Sequence, residues 1–216
     1  MNGNGNVSDT DFSLLSTVIL HEVKNQLTEL QLRLAARGNV SAEQALVANC
    51  AQRLTDLLMI QREACGLLQA DIDADSPADL LQELAGEYMD LFPALAIEVH
   101  LDNAPVTAFY DAFLVRLALA NALHNACHHA HARVQLTVRS TNDGILFEIT
   151  DDGDGYPADV LERGAAAPNH PGQTGTGLGL FLAGRIAALH RLDTHTGSVE
   201  LSNAEPGGSV FRMRLP

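Results

Sequence analysis

Tryptophan is absent from this chain, and all aromatic residues together make up only 5% of its 216 residues. That poverty suits Leu- and Ala-rich helices. Cysteine is scarce as well. Cys50, Cys65 and Cys127 form an odd, unpatterned set, which fits free thiols in a reducing cytoplasm better than a disulfide framework. Basic residues are few: 13 Lys and Arg stand against 27 Asp and Glu, for a formal net charge of −14. An acidic surface argues against nucleic acid and anionic membrane as partners. No apolar run approaches the ~20 residues needed to span a bilayer. The polar opening MNGNGNVSDT has no apolar centre of a signal peptide. The expectation is a cytoplasmic protein, and no internal repeat organises it.

What the chain does contain begins with two helical patterns. Leu20, Val23, Leu27, Leu30 and Leu34 recur at spacings of three and four. Arg37-Gly38-Asn39 reads as a stop, and Ser41 with Gln44 opens a second helix in capping-box fashion. Val47, Cys50, Leu54 and Leu57 line one seam of that helix, with Leu58, Cys65 and Leu68 nearby. A two-helix hairpin has too little surface to bury both seams. It must pair with a second hairpin as a four-helix bundle or pack on the rest of its own chain; periodicity leaves both open. The expected organisation is a flexible lead-in over 1–11, a helical hairpin over 12–70, a linker over the acidic 71–77 and a mixed α/β domain over 78–216.

In that last region the pattern predicts helices over Ala78–Met89, Asp111–Ala130 and Leu180–Leu189, and a strand over Ala96–Leu101. Three runs alternate: Val134, Leu136 and Val138; Ile145, Phe147 and Ile149; Phe211, Met213 and Leu215. Asn142-Asp143-Gly144 is a hairpin turn between the first two. Residues 157–174 are rich in Ala, Gly and Pro without a clear period, the texture of a functional lid.

Four short motifs carry chemistry. His21 sits beside the seam residue Leu20, so its imidazole faces outward, where the neutral form is a nucleophile near pH 7. Glu22 is placed to accept a proton, and Asn25 shares the face of His21 one turn on. Asn121 and Asn125 are again four apart, and an amide oxygen suits Mg²⁺. Asp151-Asp152-Gly153-Asp154-Gly155 follows a strand, where a carboxylate can accept a hydrogen bond from an adenine amino group and the glycines admit the ring closely. Gly175-Thr176-Gly177-Leu178-Gly179 opens a helix whose N–H groups suit an anion. It has no Walker lysine and no dinucleotide spacing. The cluster His124, Cys127, His128, His129 and His131 lacks a second ligand pair with zinc spacing, and the acidic loop lacks the twelve-residue calcium pattern.

In this order, His21-Glu22-Val23-Lys24-Asn25, the asparagine pair and the two glycine boxes resemble the catalytic core of bacterial two-component sensor histidine kinases, from about residue 12 to the end. The resemblance implies a dimeric four-helix bundle joined to a Bergerat-type domain, a mixed sheet with helices on one face. It implies that His21 takes the γ-phosphoryl group of ATP, that Glu22 is the general base and that Asn25 positions phosphate or water. It implies that Asn125 holds Mg²⁺ with support from Asn121. Asp151 would read adenine, with Gly153 and Gly155 beside it. Gly175, Thr176, Gly177, Leu178 and Gly179 would line the nucleotide with His128 and His129. The implied partners are the receiver domain of a response regulator, a second copy of the chain and a separate sensory protein. The alternative is a phosphotransfer adaptor or regulator phosphatase with a weak or unused ATP site. Two departures stand out. Gln26 occupies a position where many relatives have Pro, and His128 and His129 stand where Lys followed by Tyr or His is common.

Overall fold

The computed structural model describes residues 41–166 and 177–216. The chain divides after Leu68 into two compact units. Of the first, the described part is helix α1, Ser41–Ala64. Its buried side chains include Val47, Leu58 and Met59, with Thr55 and Asp56 also buried, while Cys50 is exposed and Leu57 is 43% exposed. Of the expected seam, Val47 is buried within one chain and Cys50 and Leu57 are not. Neighbours such as Leu57 and Leu58 lie about 100° apart on a helix, so one narrow face cannot hold both, and the Leu58 side is the one covered. The first expected helix lies outside the described residues.

The second unit begins with a strand where a linker was expected. Strand β1, Asp73–Asp75, pairs antiparallel with β3, Ala108–Tyr110. The acidic stretch 71–77 is therefore built into the domain. Ser76 then caps helix α2, Pro77–Leu91: its Oγ accepts from the Asp79 N–H at 3.2 Å, and Pro77 takes the first turn. Leu80, Leu81, Leu84, Ala85 and Tyr88 form the buried face of α2, and Tyr88 Oη donates to the Ala120 carbonyl at 2.9 Å.

The remaining elements are β2 (Ala96–His100), α3 (Ala112–His129), β4 (Arg133–Thr141), β5 (Gly144–Asp151), α4 (Ala158–Arg163), α5 (Leu178–Leu189), β6 (Arg191–Leu192), β7 (His195–Thr196), β8 (Ser198–Asn203) and β9 (Ser209–Leu215). Five strands form one sheet in the order β2-β4-β5-β9-β8, with β2 parallel to β4 and the other pairs antiparallel. Alternation decides its two faces. Val134, Leu136 and Val138 meet Asp151, Ile149 and Phe147 across the ladder, and Ile149 and Phe147 meet Phe211 and Met213. These apolar side chains are buried beneath α2, α3 and α5. The opposite face is mostly polar and paired across strands, with Leu146 and Val210 buried among its polar neighbours: Gln135 Nε2 donates to Glu98 at 3.0 Å, and Arg212 Nε to Glu148 at 2.5 Å. This is the expected mixed sheet with helices on one face.

One joint ties the two central helices to the start of the unit. Asp111 caps α3 by accepting from Leu114 N–H at 2.9 Å, and its other oxygen accepts from Asp71 N–H at 2.9 Å. The Asp111 N–H donates to Nε2 of the buried His190 at 3.0 Å, at the end of α5. Nδ1 of His190 faces the Ile186 carbonyl at 2.9 Å, so the ring is the neutral Nδ1–H tautomer. Burial holds its pKa below 6.5. Above about pH 6.5 the ring is neutral in both folded and unfolded chains. As pH falls, the unfolded chain binds the proton first, so stability declines until the folded ring also protonates. Urea unfolding between pH 7 and 5 should show this decline, and His190→Ala should flatten it while lowering stability at pH 7.

Candidate nucleotide site

Asp151 is the last residue of the row that starts at Ile145, so the alternation that buries Ile145, Phe147 and Ile149 turns its carboxylate to the same helix-covered side. It is only 7% exposed. Oδ1 accepts from Gly153 N–H at 2.9 Å and Ser209 N–H at 3.2 Å, and Oδ2 accepts from Ser209 Oγ. Nearby, burial and the Asp151 charge push the Cys127 thiol up to about 12, so it is inert at neutral pH. Asp152 points elsewhere. Its Oδ1 accepts from the N–H groups of Ala132, Arg133 and His131 at 2.9–3.0 Å. The bonds from Ala132 and Arg133 hold its pKa below the usual carboxylate range, with His131 adding to them. The first Asp is the buried acceptor and the second ties the end of α3 to β4.

The glycines of this box are explained by the protein itself. A Cβ at 153 would lie 2.1 Å from the His129 carbonyl oxygen, and one at 155 would lie 2.8 Å from the Asn203 Cγ. The close approach of α3 and β8 requires glycine at both positions, whether or not a ring lies beside them. A third glycine was not foreseen. At Gly208 a Cβ would sit 1.9 Å from the Asp151 carbonyl oxygen.

On α3, Asn121 is buried and Asn125 half-buried one turn later. The Asn121 amide lies against Gly179, where a Cβ would come within 3.1 Å of its Cγ. Gly177 is the N-cap residue of α5 and gives it no side-chain cap bond; Leu178 is its first residue. Sequence-distant residues thus converge: Asn121 with Gly179, and Gly153 with the His129 backbone. His128 is exposed and packs edge-on against Phe92 and His124, with ring centroids 5.4 and 4.4 Å apart. The His129 side chain is exposed. No group of three or more metal-binding side chains occurs among the described residues. His21, Glu22, Asn25, Gly175 and Thr176 lie outside those residues, as does 167–174 of the expected lid. Its first part is ordered as α4, and Ala165 packs so near Gly184 of α5 that a Cβ there would meet its carbonyl oxygen at 2.9 Å.

Ser209, which supplies two of the three bonds to Asp151, was missed in the sequence. Its signal is Gly207-Gly208-Ser209 directly before the last alternating strand.

Known proteins share this arrangement. Residues 110–216 match the family described as histidine kinase-, DNA gyrase B-, and HSP90-like ATPase. The signal transduction histidine-protein kinase AfsQ2 of Streptomyces coelicolor is 26% identical over 97% of this chain and 41% of its own length. The sensor-type histidine kinase PrrB of Mycobacterium tuberculosis is 29% identical over 97% of this chain and 48% of its own. The chain thus spans less than half of these relatives. The crystal structure of the PrrB ATP-binding domain is 30% identical, covers 68% of this chain and 97% of that one, and superposes with a TM-score of 0.53. Full-length ShkA in complex with AMPPNP has the same fold at 23% identity, covering 91% of this chain and 44% of that one with a TM-score of 0.64. The chain belongs to the histidine kinase-, DNA gyrase B- and HSP90-like ATPase family as a sensor histidine kinase catalytic core.

Proposed function

We propose that this chain is an ATP-dependent protein histidine kinase that phosphorylates its own His21 and passes the phosphoryl group to an aspartate on the receiver domain of a response regulator. The observation that carries the reading is Asp151. It is a buried carboxylate with three of its roughly four acceptor positions filled by the protein. The remaining position suits the amino group of adenine. The N-terminus of α5, opened by Gly177 and Leu178, offers N–H groups and the positive helix end to phosphates.

Asn125 would hold Mg²⁺. It is half-buried, one turn from Asn121, and its amide is the neutral, hard oxygen donor that this ion takes beside phosphates and water. Bound there, the ion would neutralise phosphate charge. On the acceptor side, Glu22 would take the proton of the attacking imidazole and Asn25 would orient the phosphoryl group, so that catalysis is positioning and charge neutralisation. Leu57, left exposed on α1, supports a homodimeric bundle that covers the other seam, in a cytoplasmic protein that takes its signal from a separate sensory partner.

His128 favours a second reading. An imidazole packed against Phe92 and His124 is a poorer phosphate partner than an ammonium ion, as a phosphotransfer adaptor or regulator phosphatase with a weak ATP site would allow. Incubation with γ-labelled Mg-ATP separates the two. The kinase should take up acid-labile, base-stable label, as an N–P bond gives, and His21→Ala should take up none. Absence of label on the wild type, or label persisting on His21→Ala, would overturn the kinase reading.

A further inference from the structure

The loop from Asp151 to Tyr156 is gripped at both ends by the β8–β9 hairpin. At its start Ser209 holds Asp151 through its N–H and Oγ. At its end the carboxamide of Asn203 brackets Tyr156: Oδ1 accepts from the Tyr156 N–H at 2.7 Å, and Nδ2 donates to the Tyr156 carbonyl at 3.0 Å. Asn203 and Ser209 are direct partners across the β8–β9 ladder. One side chain thus supplies the two bonds a neighbouring strand would make. The fit explains Gly155, which has φ 81° and lies directly under the amide. Tyr156 is turned in towards Ser209 and Asp151. There burial pushes its phenol up to about 12, with the Asp151 charge adding to the effect against the contact with Ser209.

We propose that Asn203 is a positioning residue for purine recognition: by clamping Tyr156 it fixes the loop wall, so that Asp151 presents its one open acceptor position in a single direction. The proposal rests on the nucleotide reading above and adds a determinant of base selectivity. An ionised carboxylate with a single fixed open position accepts from a 6-amino purine. It faces the carbonyl of a 6-oxo purine as one acceptor against another, an unpaired contact that a rigid, dry site penalises. Without Asn203 both main-chain groups of Tyr156 lose their partner. Residues 152–156 then loosen, water enters, and the distinction fades. Asn203 is exposed on the hairpin, so its removal opens no core cavity.

The test is calorimetric titration of the whole chain with ADP and with IDP, alongside thermal unfolding, for the wild type, Asn203→Ala and Asn203→Asp. The wild type should prefer ADP. Asn203→Ala should lower the ADP/IDP affinity ratio by about tenfold, mostly through weaker ADP binding. Asn203→Asp keeps an acceptor for the Tyr156 N–H but loses the donor, and should recover part of the ratio. A ratio in Asn203→Ala equal to that of the wild type overturns the proposal, whatever happens to the melting temperature. So does a wild type that does not distinguish ADP from IDP. Should Asn203→Ala fail to fold, an unchanged ratio in Asn203→Asp overturns it equally. A wild type that binds no ADP removes the nucleotide reading and this proposal with it, whereas ADP binding with an unmoved ratio removes this proposal alone.

Discussion

Asp151→Asn should sharply weaken ATP-dependent labelling of His21 while leaving the domain folded. The asparagine oxygen can still accept from the N–H groups of Gly153 and Ser209, which already share Oδ1. The new NH₂ faces Ser209 Oγ, and that hydroxyl can rotate from donor to acceptor. The internal network is therefore repaired. The position open to ligand is not, because it now carries a donor opposite the adenine amino group. A buried donor–donor mismatch costs about 1–3 kcal/mol, or roughly one to two orders of magnitude in nucleotide affinity. Isothermal titration with ADP should show the loss, and circular dichroism should show an unchanged fold. Reverse transfer from a phosphorylated receiver domain back to His21 needs no adenine site and should persist. If the variant labels from ATP as well as the wild type does, Asp151 is not the adenine reader.

Gly208→Ala should be the most damaging of the small substitutions. Gly208 has φ 108°, and a methyl group there would overlap the Asp151 carbonyl oxygen at 1.9 Å, with the Asp151 carbon at 2.9 Å. Backbone strain of about 1–3 kcal/mol adds to overpacking of about 1–3 kcal/mol, because the colliding atoms are main chain on both sides. Stability should fall by roughly 3 kcal/mol or more, and the thermal midpoint by about 10 °C, taking about 3 °C per kcal/mol for a domain of this size. ADP affinity should fall with it, since Ser209 follows directly and holds Asp151. Gly86, exposed in α2 with nothing within 4 Å of a Cβ, is the contrast: Gly86→Ala should be neutral or stabilising by up to about 1 kcal/mol. Equal melting temperatures for Gly208→Ala and the wild type would show that the β8–β9 turn yields more easily than its geometry implies.

Where periodicity was strong, the structure followed it. Helix α3 fills Ala112–His129 within an expected 111–130, and the hairpin at Asn142-Asp143-Gly144 joins β4 to β5 as expected. Where strands were short, it did not. The three-residue strands β1 and β3 and the two-residue β6 and β7 have too few residues to show an alternation, and β1 is Asp-Ala-Asp, a composition that reads as loop. The same limit hid the ordered start of the lid segment, since the six residues of α4 are under two helical turns.

The amino-acid sequence by itself determined which residues could do chemistry and which way several of them face. The parity that buries Ile145, Phe147 and Ile149 carries Asp151 to the same side, and four-residue spacing sets Asn121 and Asn125 on one helix face; both follow from local backbone periods. Only the tertiary structure decided what holds those residues in place. Ser209 lies 58 residues from Asp151, Asn203 lies 47 from Tyr156, and His190 lies 79 from the Asp111 N–H it receives. Such contacts carry no local period. They arise when β9 pairs beside β5 and α5 lies along α3, and the glycines at 153, 155 and 208 are among the places where that assembly leaves no room for a side chain.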